Sequence, residues 1–292
     1  MTDNHDVPPS PAEQLAALRA ELDGIDNQVH DLLMQRAVVV ERVGALGAKG
    51  RVPLRPGREA DIVRRLLARH TGNLPRRTVA RMWRELLAGT TAMQANYIIA
   101  VCQGADPATG FAGCAREHFG ALTPMRMHRT AAQAIGEVSA GTAVAAVLPE
   151  PAEDETQGEA WWTALLHSDA PRIHVVARLP FWSPRSEGAP RVQAFVVSAA
   201  EPDPSQDDRS LIGLEVADTM SRARLATTVA AAGFTASNTI LRRVPGSPVA
   251  HALVDVAGFV TEADPRLAAL PDLLRPAVVL GAYAVPVDGD IA

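Results

Sequence analysis

Five polar side chains fall on, or in one case directly beside, otherwise apolar faces of three predicted helices in the first third of the chain. They are Arg19, Arg36, Glu59, Thr90 and Gln94. Because an unpaired charge is costly to bury, such groups need polar partners. A set of polar groups directed into a helix bundle, with arginine prevailing, indicates a buried anion site. Arginine suits that site because its planar fork binds a carboxylate through two hydrogen bonds.

Each of these residues also has a purely structural explanation, which the residues alone leave open. The Thr90 hydroxyl can bond to a carbonyl of its own helix, and Gln94 can lie near a fraying helix end. Arg36 and Glu59 can form an internal ion pair. The anion site is therefore inferred from the set as a whole.

One long predicted helix, residues 10–46, positions the first two arginines. A spacing of three and four places one arginine inside an apolar seam: Leu15, Leu18, Leu22, Ile25, Val29, Leu32, Arg36, Val39 and Val43. Ser10 and Glu13 predict a capping box, with Pro11 at the first helical position. At about 1.5 Å per residue the helix is about 55 Å long, so the segment that contains it is too small to bury it. It needs another surface, most economically that of a second copy.

Two shorter helices are predicted after a Gly- and Pro-rich loop at residues 44–57. The second helix covers residues 58–70, with Ile62, Val63, Leu66 and Leu67 as its stripe. The third begins near Pro75, and its predicted stripe is Val79, Met82, Trp83, Leu86, Leu87, Thr90 and Met93.

The pattern changes at Tyr97, where short apolar runs begin to alternate with helical stretches, as in an α/β fold. From residue 210 the predicted order is strand, helix, two strands, helix and strand, the split-βαβ or ferredoxin-like arrangement. We expect three domains, at residues 1–95, 96–208 and 209–292.

Composition and charge exclude several classes of function. The 292 residues are 47% hydrophobic and 21% charged, as in soluble globular proteins. No apolar run approaches the roughly 20 residues of a membrane span, and the N-terminus lacks signal-peptide features, so we expect a cytoplasmic protein that binds no membrane. Two cysteines are too few for a disulfide framework or a thiolate metal site. Residues 1–95 hold 14 Arg+Lys and 11 Asp+Glu, a net of +3, against 14 and 22, a net of −8, in the rest. This balance suits a small anionic ligand and lacks the basic face of a nucleic-acid binder.

Residues 15–94 resemble the all-helical chorismate mutases, especially the module at the front of bifunctional chorismate mutase–prephenate dehydratases. The stretches that carry the resemblance are LAALRAELDGIDNQVHDLLMQR, LRPGREADIVRRL and TTAMQ. The resemblance implies an intertwined homodimer that converts chorismate to prephenate, for phenylalanine and tyrosine biosynthesis, without a cofactor. It implies that Arg19 of the partner subunit, Arg36 and Arg58 hold the two carboxylates. Glu59 would bind the ring hydroxyl, Thr90 would be an auxiliary contact, and Gln94 would donate to the ether oxygen.

Two positions depart from that family. Gly47 stands in register with a lysine that bonds the ether oxygen and a carboxylate, and Lys49, the only lysine in the chain, lies two residues on. We include Lys49 as a catalytic candidate and Arg55, which stands where relatives often have an acidic residue, as a substrate-binding candidate. Gly47 favours one alternative, a catalytically weak or dead regulatory protein that binds chorismate or prephenate. A second alternative is an isochorismate–pyruvate lyase on the same bundle.

The remaining segments resemble the other modules of the same bifunctional proteins. Residues 97–182 resemble the first part of a prephenate dehydratase domain, but Pro190 occupies the position of the family's catalytic threonine. This implies a truncated, non-catalytic α/β segment. Residues 209–287, with the ending VLGAYAVPV, resemble the ACT regulatory domain, which implies a further dimer surface and an effector site. The expected fold is thus a three-helix bundle followed by two α/β segments, the second ferredoxin-like.

Overall fold

The computed structural model describes residues 9–46, 52–104, 110–153, 155, 158–167, 170–183 and 187–288. The chain divides into two compact units, residues 1–50 and 51–292. The domain boundaries expected at residues 95 and 208 stay predictions. None of the described helices combines the length and the apolar composition that crossing a membrane requires.

The first unit contains a single described helix, α1 (Pro11–Ala45). Its N-terminus is the predicted capping box: the Ser10 hydroxyl accepts from the Glu13 backbone N–H, and the Glu13 carboxylate accepts from the Ser10 backbone N–H at 2.8 Å. The apolar seam runs the length of the helix, and its leucine, isoleucine and valine side chains are between 39% and 64% exposed. Among the described residues of its own unit, the seam therefore has no core to cover it.

The second unit begins with two helices, α2 (Pro56–Ala68) and α3 (Arg76–Ala92), which pack on each other. The start of α2 is held by a distant carboxylate: Asp203 accepts from the backbone N–H groups of Gly57 and Arg58, each at 3.0 Å. A negative charge is favourable there because helix N-termini carry positive partial charge. A Cβ on Gly57 would lie 2.2 Å from the Asp203 carbonyl oxygen, so only glycine permits this approach.

The core of the second unit is a nine-stranded mixed sheet with strand order β2-β1-β3-β6-β4-β10-β7-β9-β8. Its first five strands in chain order are β1 (Ile99–Cys102), β2 (Met125–His128), β3 (Ala145–Pro149), β4 (His174–Leu179) and, after the short β5 (Trp182–Ser183), β6 (Ala194–Ser198). Strand β1 pairs in parallel with β2 and β3. Helices α4 (Phe111–Phe119) and α5 (Ala131–Ser139) and a 3-10 helix (Trp161–His167) accompany these strands.

The other four strands of the sheet follow in the order β-α-β-β-α-β. The elements are β7 (Asp208–Ala217), α6 (Arg222–Ala231), β8 (Ala236–Arg243), β9 (Val249–Ala257), α7 (Pro265–Ala268) and β10 (Val278–Ala284), after which β11 (Val287–Asp288) pairs with β5. The two halves of the sheet join where β10 meets β4. A Cβ on Gly281 would lie 2.1 Å from the Val175 carbonyl oxygen, so the junction requires glycine.

Three details differ from the sequence expectations. The predicted helix over DPRLAALPDLL is a single turn, α7, because Pro271 and Asp272, whose φ is 61°, cannot continue it. Strand β2 and the 3-10 helix were not predicted. The third difference is the face that α3 buries: Met82 and Met93 of the predicted stripe are exposed, and the buried residues are Arg84, Leu87, Ala88, Thr90 and Thr91.

Candidate functional site

A buried ion pair joins the first turn of α2 to α3. An Arg84 Nη1 donates to Glu59 Oε2 at 3.2 Å, and the two side chains are only 8% and 12% exposed. Burial raises the pKa of the Glu59 carboxyl, and the positive charge of Arg84 acts against that rise. Burial also lowers the pKa of the Arg84 guanidinium, and Glu59 opposes this. Each charge is therefore tolerated inside the protein because the other is present.

Aromatic side chains enclose this pair. The Arg84 guanidinium lies over the Phe181 ring, 4.6 Å from its centroid. Burial raises the pKa of Tyr97 well above its usual value, and burial together with the Arg84 charge lowers the pKa of His118 well below its usual value. Tyr97 and His118 are thus neutral near pH 7. The site offers a fixed carboxylate and neutral polar groups, which suits binding and charge stabilisation more than proton transfer.

The predicted residues at the end of α3 bond within their own helix. The Thr90 hydroxyl donates to the Leu86 carbonyl at 2.8 Å, and the Gln94 amide donates to the Thr90 carbonyl at 3.2 Å. Thr90 is buried and Gln94 is half-buried. These contacts match the structural explanation left open for Thr90.

The predicted residues at the start of α2 lie on its first turn. Arg58 is exposed, whereas Arg55, at the N-cap position, is half-buried and donates to the Leu54 carbonyl at 2.8 Å. Arg58 and Glu59 thus lie on the same turn of α2, and Glu59 is paired with Arg84 of α3.

The remaining predicted residues belong to the other unit or lie outside the described ranges. On α1, Arg19 is exposed and Arg36 is partly buried. Gly47 and Lys49 lie outside the described residues.

Sequence reasoning missed Arg84 as the partner of Glu59, because the two are 25 residues apart in the chain. A signal for Arg84 was present: it lies three, four and seven residues before Leu87, Ala88 and Thr91, so the four share one face of α3. That face was overlooked because α3 carries a second, more apolar stripe.

A cluster elsewhere in the unit combines groups that could ligate a metal: His167, Glu215 and His251. His167 Nε2 lies 2.8 Å and His251 Nε2 lies 3.5 Å from Glu215 Oε1. Arg275 Nε lies 3.2 Å from the other carboxylate oxygen, and an Arg275 Nη lies 3.4 Å from His167 Nδ1. Because Arg275 balances the carboxylate charge and would repel a cation, we interpret the cluster as an ion-pair network.

A comparison with known protein families gives a match in the N-terminal helical part of the chain. Residues 18–95 match the family described as chorismate mutase type II. This mutase-like segment contains α2, α3 and most of α1. A bifunctional chorismate mutase/prephenate dehydratase of Stutzerimonas stutzeri is 28% identical over 155 residues, which are 51% of this chain and 41% of that protein. The chain thus spans less than half the length of this curated relative.

Solved structures resemble a larger part of the chain at a low level of similarity. A prephenate dehydratase from Streptococcus mutans matches with a TM-score of 0.45 and 16% identity, over 65% of this chain and all of that one. GqqA, described as a novel type of quorum quenching acylase, matches with a TM-score of 0.46 and 21% identity, over 64% of this chain and 94% of that one.

Proposed function

We propose that this protein is a chorismate mutase that rearranges chorismate to prephenate for aromatic amino acid biosynthesis. The observation that carries the proposal is the match of residues 18–95 to the chorismate mutase type II family. The bifunctional relative supports it, since its name includes the same activity. In this proposal the enzyme is cytoplasmic and needs no cofactor.

The proposed reaction requires the protein only to hold the chorismate dianion in a compact conformation and to stabilise charge on the ether oxygen. Arg36 and Arg58 hold the substrate carboxylates, with Arg19 of the partner subunit and Arg55 as further contacts. Gln94 and Lys49 donate to the ether oxygen, and Thr90 is an auxiliary polar contact.

Glu59 accepts from the ring hydroxyl in this proposal, and the observed ion pair gives that role a physical basis. A buried carboxyl tends to bind a proton, which would leave it a poorer acceptor. Arg84, 3.2 Å away, favours the ionised form. Arg84 is thus a positioning residue that favours the anionic form of Glu59 and holds its carboxylate in place through the ion pair.

The proposal includes a homodimer formed through α1. Its support is the seam, a row of large, exposed apolar side chains along α1 that only Arg36 interrupts. Exposed apolar patches of this extent mark interaction surfaces, and a second copy of the helix presents the same surface in a two-fold arrangement. The dimer also explains how Arg19 of one subunit reaches the site of the other.

The part of the chain after the mutase-like segment contributes regulation and scaffolding in this proposal. Residues 96–208 are a truncated dehydratase-like segment without dehydratase activity, because Pro190 stands in place of the catalytic threonine. Residues 209–292 are an ACT-like tail that provides a further dimer contact and an effector site.

The loss of chorismate absorbance, measured with purified protein, tests the activity. Wild type should consume chorismate above the uncatalysed rate, and Lys49→Ala should reduce the rate about 10²- to 10³-fold if the displaced lysine is the donor. Chorismate consumption no faster than the uncatalysed rate in wild type would overturn the proposal.

A specific observation favours one other function, a non-catalytic protein that binds chorismate or prephenate. Gly47 occupies the position of the family lysine, so the anion-binding groups are present without that donor. The Gly47→Lys variant separates the two functions. If only this variant is active, the natural protein is a binding protein; if wild type is active, it is an enzyme.

A further inference from the structure

A cavity of about 340 Å³ lies between α3, α4 and the segment that follows β4. This volume falls within the range of small-molecule pockets, about 300–1,000 Å³. Its lining residues include Arg84, Phe181, and Glu117 and His118 of α4. None of the residues assigned above to chorismate lies in its wall.

The cavity is electropositive. Arg77, Arg81 and Arg84 lie four and three residues apart, so they share one face of α3, and all three line the cavity. Glu117 is the one acidic residue among the described lining residues. Within the part of the chain that the structure describes, the guanidinium groups of Arg77 and Arg81 are exposed and have no hydrogen-bond or carboxylate partner. Two uncommitted guanidinium groups at a cavity mouth favour an anion, and their fork geometry favours a carboxylate.

His118 contributes an uncharged ring to the wall. The residue is 9% exposed, and burial together with the Arg84 charge lowers its pKa well below the usual value. The ring is therefore neutral near pH 7 and adds no negative charge that would oppose an anion beside Arg77 and Arg81.

The rest of the wall is apolar and partly aromatic. Phe181 and Trp182 follow each other on one side, and Val63 and Ala80 lie on the helices. Such a wall suits a planar apolar group. We propose that this cavity binds a small aromatic carboxylate, with its carboxylate on Arg77 and Arg81 and its ring against Phe181 and Trp182.

Calorimetric titration of the full chain with phenylacetate tests the proposal, with benzyl alcohol and inorganic phosphate as comparison probes. Phenylacetate should bind with one site per chain, and at least about tenfold more tightly than either comparison probe, because only it has both the ring and the carboxylate. Failure of phenylacetate to bind, or phosphate binding of equal strength, would overturn the proposal.

Variants locate the site. The double variant Arg77→Ala/Arg81→Ala should weaken phenylacetate binding at least about tenfold, since it removes two charge-assisted hydrogen bonds. The matched control Arg65→Ala/Arg69→Ala removes two exposed arginines of α2 and should leave binding unchanged. Unchanged binding in the first double variant would contradict the proposal.

A further variant separates this cavity from the proposed chorismate site. Arg36→Ala should abolish chorismate turnover and leave phenylacetate binding intact. Loss of phenylacetate binding in Arg36→Ala would place the probe in the chorismate site and overturn the separate cavity. The inference itself stands on the cavity and does not depend on mutase activity.

Discussion

Replacing Arg84 by methionine should destabilise the second unit severely, because it leaves the Glu59 carboxylate without its partner. The two side chains are 8% and 12% exposed, so water cannot take over the role of the guanidinium. Breaking a buried ion pair from one side costs about 3–5 kcal/mol. For a unit of this size about 1 kcal/mol shifts the melting temperature by about 2–4 °C, so the expected fall is about 6–20 °C at pH 7.

The stability of Arg84→Met should also depend on pH in a specific way. Without Arg84 the pKa of folded Glu59 rises further above its unfolded value of about 4.3. The folded state then binds a proton that the unfolded state releases, so stability increases as the pH is lowered from 7 towards about 5. Arg84→Met should therefore recover part of its lost melting temperature at pH 5, relative to wild type at the same pH.

Two controls complete the experiment, which is read by calorimetry. Glu59→Gln/Arg84→Met removes both charges and should be more stable at pH 7 than Arg84→Met alone. Arg81→Met, on the same helix but exposed, should change stability by no more than about 0.5 kcal/mol. The reasoning is refuted if Arg84→Met has the melting temperature of wild type, or if its melting temperature is lowered by the same amount at pH 5 and pH 7.

Two further predictions concern the proposed dimer and the α2 terminus. Leu22 is 60% exposed on α1, so covering it contributes about 1–2 kcal/mol per copy, and Leu22→Ala should weaken dimerisation about 30- to 1,000-fold by sedimentation velocity. Asn27→Ala, on the opposite side of the helix, should leave the dimer unchanged; equal effects would argue against the seam. Gly57→Ala should lower the free energy of unfolding, measured with urea, by about 1–3 kcal/mol, because its Cβ would lie 2.2 Å from the Asp203 carbonyl oxygen. Gly89→Ala, which meets no atom within 4 Å, should instead stabilise α3; a loss of stability there, or none in Gly57→Ala, would contradict this explanation.

The sequence predicted elements whose signals are local. Capping residues fixed the start of α1, and its apolar seam is present as predicted. The apolar runs of β1, β3 and β4 were recognised because buried strands read as continuous apolar stretches. Strand β2 was missed because it lies at the sheet edge and its sequence, MRMH, is half polar and half exposed.

The parts of the site that could not be predicted depend on contacts between distant segments. Periodicity shows that α3 is amphipathic, but it cannot tell which of two adjacent stripes faces the body of the protein. The pairing of Glu59 with Arg84 and the approach of Phe181 to that pair follow from how α2 packs on the sheet and how α3 packs on α2 and α4. No local spacing encodes that docking.

The central claim is a chorismate mutase whose site is shared between two copies, and subunit complementation tests it most directly. Arg19→Ala and Arg58→Ala should each abolish chorismate consumption when assayed alone. When the two variants are unfolded together and refolded, half of the dimers are mixed and one of their two sites is intact, so activity should return to about a quarter of wild type. A mixture as inactive as its parents, or parents as active as wild type, would contradict the account.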